Sequence, residues 1–358
     1  MKELIRLLPE LNPKKISKNV TRFFKIYINP PKERGVILDP LNLSEKAFRE
    51  DKTSTKAQPK QVVYNSKTKE AFVSCMKDQA LQVFKIKDKK IKLEKEITFE
   101  DQCVEVAIYK DLLFVTTTNF NRPPGKLRNK LWLLDQKSKE IISSVDTGGN
   151  WSKLIAVRPQ GDELLISNWH SHDISVVDIT DPEKPNLKQI LKWGEAPRGI
   201  AFLPDGNSAI VTGFYSGNIG ILTKNNNCWE SSFTSKPFDA PNYSGNMRHV
   251  LITQDAKTAI ISNLGRNLLH FWNIDKKIFE ESISVGKSPN SIDFLTPDKV
   301  AVSCRDSSYV YIVDTNSRKV IGRSQKTGSE PTGLCQVKSG FLVTNFKENS
   351  LDLYSVKL

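Results

Sequence analysis

A chain of 358 residues, 38% hydrophobic and 26% charged, is long enough to bury a large core, and this composition excludes a wholly disordered polymer. The formal charge of +13 and a pI near 9.3 are what a partner of nucleic acid, an anionic membrane face or an acidic protein would call for, and where the charge lies decides whether one is expected. No stretch approaches the ~18 consecutive apolar residues of a membrane span, so no spanning segment is expected.

Along the chain, Leu4, Leu7, Leu8 and Leu11 fall at helical spacing before Pro13, which predicts a short amphipathic helix over residues 1–11 without a signal cleavage site. Residues 23–28 and 36–38 read as strands, and the polar stretch 39–59 as a crossing linker. Lys85, Lys87, Lys89, Lys90, Lys92 and Lys95 alternate with Asp88, Glu94 and Glu96. Such a mixture keeps sheet edges soluble, so nucleic acid is not an expected partner.

From residue 57 onward the chain repeats. Seven segments end a strand with an aliphatic residue followed by Ser or Thr: Ser74, Thr116, Ser167, Thr212, Ser262, Ser303 and Thr344. The 270 residues from Ser74 to Thr344 divide into six intervals averaging 45, the length of a four-stranded blade. The fourth unit shows the parts in order: a first strand over 197–202, a turn at Pro204-Asp205-Gly206, then strands over 208–213, 218–223 and 228–233. The predicted fold is therefore an all-β, seven-bladed propeller over residues 57–358, preceded by an N-terminal extension over residues 1–56. The last unit runs out of residues after its third strand, so one of the two upstream strands is expected to supply the fourth and close the ring.

Leu165-Ile166-Ser167-Asn168, Ile260-Ile261-Ser262-Asn263 and Leu342-Val343-Thr344-Asn345 each precede a turn, and strands such as Ile174-Ser175-Val176-Val177-Asp178 follow. This pattern resembles the YVTN-type propellers, a superfamily with lactonase-like and quinoprotein amine dehydrogenase β-chain-like members, and it covers residues 57–358. The resemblance implies the fold but not the function, because such propellers host binders, hydrolases and redox proteins. Within the lactonase group, Arg248-His249 is similar to the Arg-His that precedes a first strand. Leu264 stands where that group has Glu, and Ser152-Lys153 where it has a His pair. A rearranged hydrolase centre is therefore the alternative to a binder.

In a propeller, the segment leading into each first strand and the loop between the second and third strands share a face. Those positions carry Lys60, Glu105, Lys153, Arg198, Arg248, His249, Asn290, Trp169, His170, Tyr215, Arg266 and Arg305. The expected ligand-binding set is Lys153, Trp169, His170, Arg198, Arg248, His249, Arg266 and Arg305. Guanidinium forks suit carboxylate or phosphate. The expected function is non-catalytic binding of a small anion, or of an acidic peptide or protein, by a monomer. The alternative for each arginine is a structural pair with a neighbour such as Glu105 or Asp306. His170-Ser171-His172-Asp173 is the most metal-like run, but no second spaced pair accompanies it, so no metal is expected. No cofactor motif occurs, and Asn168, Asn263 and Asn345 read as turn caps. The insertion over residues 119–129, with Arg122, Lys126 and Arg128, reads either as a lid or docking loop or as a tolerated surface excursion. Of five cysteines without CxxC spacing most sit in strand-like runs, so buried reduced thiols are the default and suggest the cytoplasm, with export as the alternative if a leader precedes Met1.

Overall fold

The computed structural model describes residues 38–119, 129–194, 196–235 and 245–358. The helix expected over 1–11, the run at 23–28, residues 36 and 37 of the run at 36–38, and residues 120–128 of the insertion lie outside the described residues. Helix among the described residues is confined to a 3-10 turn at Pro40–Asn42, capped by the Asp39 carboxylate. All else is strand, turn or loop.

The first strand, β1, is Glu45–Ser54. Five four-stranded antiparallel sheets follow in sequence order. They comprise β2 (Pro59–Asn65), β3 (Glu70–Cys75), β4 (Ala80–Lys87) and β5 (Lys90–Thr98); then β6 (Gln102–Tyr109), β7 (Leu112–Thr118), β8 (Lys130–Asp135) and β9 (Ile141–Asp146). The third holds β10 (Ser152–Val157), β11 (Glu163–Asn168), β12 (Asp173–Asp178) and β13 (Asn186–Lys192). The fourth holds β14 (Pro197–Phe202), β15 (Ser208–Gly213), β16 (Ile219–Asn225) and β17 (Cys228–Ser235). The fifth holds β18 (Met247–Ile252), β19 (Thr258–Asn263), β20 (Leu268–Asn273) and β21 (Ile278–Ser284). The remaining strands are β22 (Pro289–Thr296), β23 (Lys299–Cys304), β24 (Tyr309–Asp314), β25 (Lys319–Ser324), β26 (Pro331–Val337), β27 (Gly340–Asn345) and β28 (Ser350–Val356). With β1 they form one eight-stranded sheet, ordered β22-β23-β24-β25-β1-β28-β27-β26.

The strand beside β28 is thus β1, which pairs antiparallel with it from Ala47 to Ser54 and touches β25 in parallel at two positions. This corrects the expectation that residues 23–28 or 36–38 take that place: the strand comes from the stretch read as a linker. The reason is physical. An outermost strand buries little, and in β1 only Ala47 is fully buried while charged residues alternate around it. Its outer edge is held by side chains, with Asp51 accepting from the Ile91 N–H (2.8 Å) and pairing with Lys90 (3.1 Å).

The repeated Ser/Thr has a structural cause. Its hydroxyl accepts an N–H from its own sheet's first strand and donates to a carbonyl of the next sheet's first strand. Gly199 N–H donates to Thr212 Oγ1 (2.9 Å), which donates to Arg248 O (3.1 Å). His249 N–H donates to Ser262 Oγ (3.0 Å), which donates to Asn290 O (2.7 Å). Ser74, Ser167 and Ser303 reach Val104 O, Arg198 O and Thr332 O in the same way. Thr344 completes the circuit by reaching back to Lys60 O (3.4 Å). Thr116 Oγ1 is the exception, without a partner among the described residues. The first strands approach so closely that a Cβ on Gly199 would lie 2.3 Å from Arg248 O, and one on Gly333 2.7 Å from Lys60 O. Only glycine fits there.

Apolar packing runs the same way. Val62, Val73 and Phe84 of the first four-stranded sheet pack on Cys335, Leu342 and Leu353 of the last strands. The ends of the chain's repeat therefore meet through core as well as hydrogen bonds.

Candidate functional site

A second repeated device sets one face of the molecule. Gln58, Trp151, Ala196, Asn246, Ser288 and Glu330, each immediately before a first strand, adopt φ between 47° and 58°. Left-handed backbone costs a non-glycine residue about 1 kcal/mol or more. Here it turns each carbonyl toward the loop between the second and third strands. Trp169 N–H donates to Trp151 O (3.0 Å), Phe214 to Ala196 (2.9 Å), Leu264 to Asn246 (3.1 Å) and Phe346 to Glu330 (2.9 Å). Lead-in segments and these loops are thereby tied into one surface.

At the second residue of the first strands stand Lys60, Lys153, Arg198, Arg248 and Asn290, with His249 and Glu105 one position along the register. All but Arg248 are buried, Arg198 at 3% exposure and Asn290 at 1%. Their charges act on one another. Burial, more than any neighbour, pulls the Lys60 ammonium down to about 8, with Arg198 and Arg248 pressing the same way against the pull of Glu105. Lys153 lies well below the ordinary lysine value because of burial and then because of Lys60, Arg198 and Arg248. Burial, Arg198, Arg248 and Lys60 hold His249 well below its ordinary value, so its imidazole is neutral. Side chains from five separate sheets therefore act on one another.

Counter-charge among them is unevenly supplied. Lys60 Nζ bonds Glu105 Oε2 (2.8 Å) and Val104 O (3.0 Å). Lys153 has no ion pair among the described residues; its Nζ lies 3.9 Å from the Trp151 ring centre and 5.4 Å from that of Trp169. Arg198 has no ion pair among them either, and its buried Nη1 has no hydrogen-bond partner there. Asn290 donates through Nδ2 to Thr332 O (2.6 Å), and its buried Oδ1 has no donor among the described residues. Two buried atoms of opposite polarity, each without a partner among the described residues, thus stand at the same register position of two first strands.

Beside the cations lies an aromatic cluster. His170 stacks on Trp169 (5.2 Å, 18°) and meets Trp151 edge-on (4.5 Å), and Tyr215 also stacks on Trp169 (5.4 Å, 27°). Phe214 joins Trp169 (5.5 Å) to Arg248, whose guanidinium lies 5.9 Å from its ring centre.

The structure brings together Lys153, Arg198, Arg248 and His249, with Trp169 and His170 against Lys153. It directs two expected members elsewhere. Arg305 pairs with Glu330 (3.2 Å), which also binds Lys347 (2.6 Å). Arg266 is fully buried and acts on His270, whose ring is held by Ser282 (2.6 Å) and Asn263 (2.9 Å). Neither figures among the charges that depress Lys60, Lys153 or His249. The residue passed over was Phe214. Its signal lay in the register, since it follows the second strand as Trp169 does. In the His170–Asp173 run, His172 Nδ1 accepts from the Ala196 N–H (2.9 Å) and Asp173 accepts from Ser171 and Asn168. Among the described residues no group of three or more His, Cys, Asp or Glu is arranged to hold a metal.

No protein-family profile matches this chain. It resembles the antigen Lp49 of Leptospira interrogans, at 27% identity over 229 residues that cover 58% of this chain and 47% of Lp49. The chain thus spans about half the length of that curated relative. Among solved structures, the β-propeller domain of Cps50 (Swd1) from Myceliophthora thermophila superposes with a TM-score of 0.67. At 12% identity, that alignment covers 88% of this chain and all of the domain. The chain is a β-propeller. A functionally unknown protein from Desulfotomaculum acetoxidans agrees, with a TM-score of 0.64 at 16% identity over 81% of this chain and 90% of that one. At such identities the likeness concerns fold alone.

Proposed function

We propose that the propeller is a non-catalytic receptor for a small anion, bound among Lys153, Arg198 and Arg248 with His249 beside them. One observation carries this reading: Arg198 is buried, without an ion pair among the described residues, and its Nη1 is unbonded there. A buried charge costs several kcal/mol unless it is paired, and a ligand carboxylate or phosphate supplies the pair. Melting curves in phosphate, sulfate and citrate at constant ionic strength test this. The receptor reading expects a concentration-dependent rise with at least one anion, abolished in Arg198→Met; identical shifts in both proteins would refute it.

We read the ring as seven-bladed, with an N-terminal extension over residues 1–56 supplying its closing strand. The eight-stranded sheet then divides at β1 into two blades. In support, Ala301, Val310 and Ile312 pack face to face on Leu334, Phe341 and Val343. Strands of one flat sheet lie edge to edge instead. A hydrolase is the second reading, favoured by one contact, His249 Nε2 at 3.5 Å from Ser291 Oγ. Turnover of sugar lactones, lost in Ser291→Ala, would establish it.

A further inference from the structure

We infer that the anion carries a hydroxyl group as well as two or more negative charges, a hydroxylated polycarboxylate being the class that fits best. This rests on the receptor reading and names its ligand. Among the described residues Arg198 Nη1 lacks an acceptor and Asn290 Oδ1 lacks a donor, both buried, at matching positions of β14 and β22. The amide orientation of Asn290 is fixed by Thr332 O, because turning it over would set two acceptors against each other at 2.6 Å. A bare anion satisfies the arginine and leaves the amide oxygen orphaned. An anion with a donor satisfies both.

Charge decides which donor. Lys60, Lys153, Arg198 and Arg248 all act on this space, and Glu105, the carboxylate that acts there with them, is engaged by Lys60. An ammonium would meet repulsion from each cation; a hydroxyl donates without charge. Two separated cations without ion pairs among the described residues, Lys153 and Arg198, favour more than one carboxylate on the ligand.

Two probe pairs isolate the hydroxyl: citrate against tricarballylate, and malate against succinate. Isothermal titration of the full-length protein should give affinities about tenfold or more higher for the hydroxylated member of at least one pair, since the analogue leaves Asn290 Oδ1 unpaired. The preference should vanish in Asn290→Val, while Arg198→Met should weaken both members. Equal wild-type affinities within both pairs would overturn the hydroxyl inference and leave the receptor reading standing. Failure of all four anions to bind while phosphate or sulfate still raises the melting temperature would also overturn the hydroxyl inference; failure of all four together with phosphate and sulfate would overturn the receptor reading itself. The wild-type comparison decides even if Asn290→Val does not fold.

Discussion

Replacing Arg198 by Met should make the protein more stable while disabling its site. Methionine keeps an unbranched apolar stem and removes the guanidinium, which is 3% exposed and has no ion pair among the described residues. Burial also lowers the arginine's proton affinity, although Glu105 acts the other way. Exchanging buried charge for apolar volume typically gains about 1–4 kcal/mol. An unfolding entropy of about 2.1 cal/mol/K per residue over 358 residues converts each kcal/mol into about 1.3 °C. Calorimetry at matched scan rates in Tris-chloride, free of multivalent anions, should therefore show a rise of about 1–5 °C. Titration of the same variant with citrate should show a loss of about 2–5 kcal/mol, the usual cost of removing one partner from a desolvated charge pair. A fall in melting temperature of several degrees with citrate binding unchanged would refute the reasoning, because Arg198 would then be a structural residue.

Three other outcomes follow from the framework around the site. Thr212→Val and Ser262→Ala, which break hydroxyl links between neighbouring sheets, should each cost about 1–3 kcal/mol, whereas Thr116→Val, at the hydroxyl without a partner among the described residues, should be neutral or stabilising; equal losses at all three would remove the linking role. Glu163 accepts from Lys188 (2.8 Å), Lys224 (2.7 Å) and Trp229 Nε1 (3.1 Å), so Glu163→Gln should cost about 2–4 kcal/mol and leave anion affinity unchanged by titration. Burial brings His270 down to about 3 and His170 to about 4, so between pH 6.5 and 4 the unfolded chain binds more protons. Stability should then fall on acidification by about 1.4 kcal/mol per pH unit for each such histidine, and His270→Gln should flatten the melting-temperature profile; an unchanged slope would contradict the burial.

The sequence made the repeat readable because every link in it is fixed by register. Ser167, Thr212 and Ser262 recur since the hydroxyl must stand at one point of each second strand to span two sheets. The closing strand was hidden for the opposite reason. Glu45–Ser54 buries almost nothing, as do outer strands such as β13, so its composition matches that of a linker. The site was half legible. Register placed Lys153, Arg198 and Arg248 on one ring, but arginines of the same appearance elsewhere took local partners. Arg305 meets Glu330 because the next lead-in segment brings that carboxylate within 3.2 Å, a contact between positions 25 residues apart that no spacing rule supplies. Asn290 was legible as a member of that face but not as part of the ligand-binding set. What sets it apart in the structure is an amide oxygen without a donor among the described residues, once Thr332 has taken its amide hydrogen.

Native mass spectrometry of the gently purified full-length protein tests the receptor claim most directly. The account predicts a small-anion adduct above the 40.5 kDa chain, present as isolated or formed stoichiometrically on adding citrate, and absent from Arg198→Met under the same conditions. A wild-type protein that stays bare with every multivalent anion, or an adduct that the variant retains in full, would contradict it.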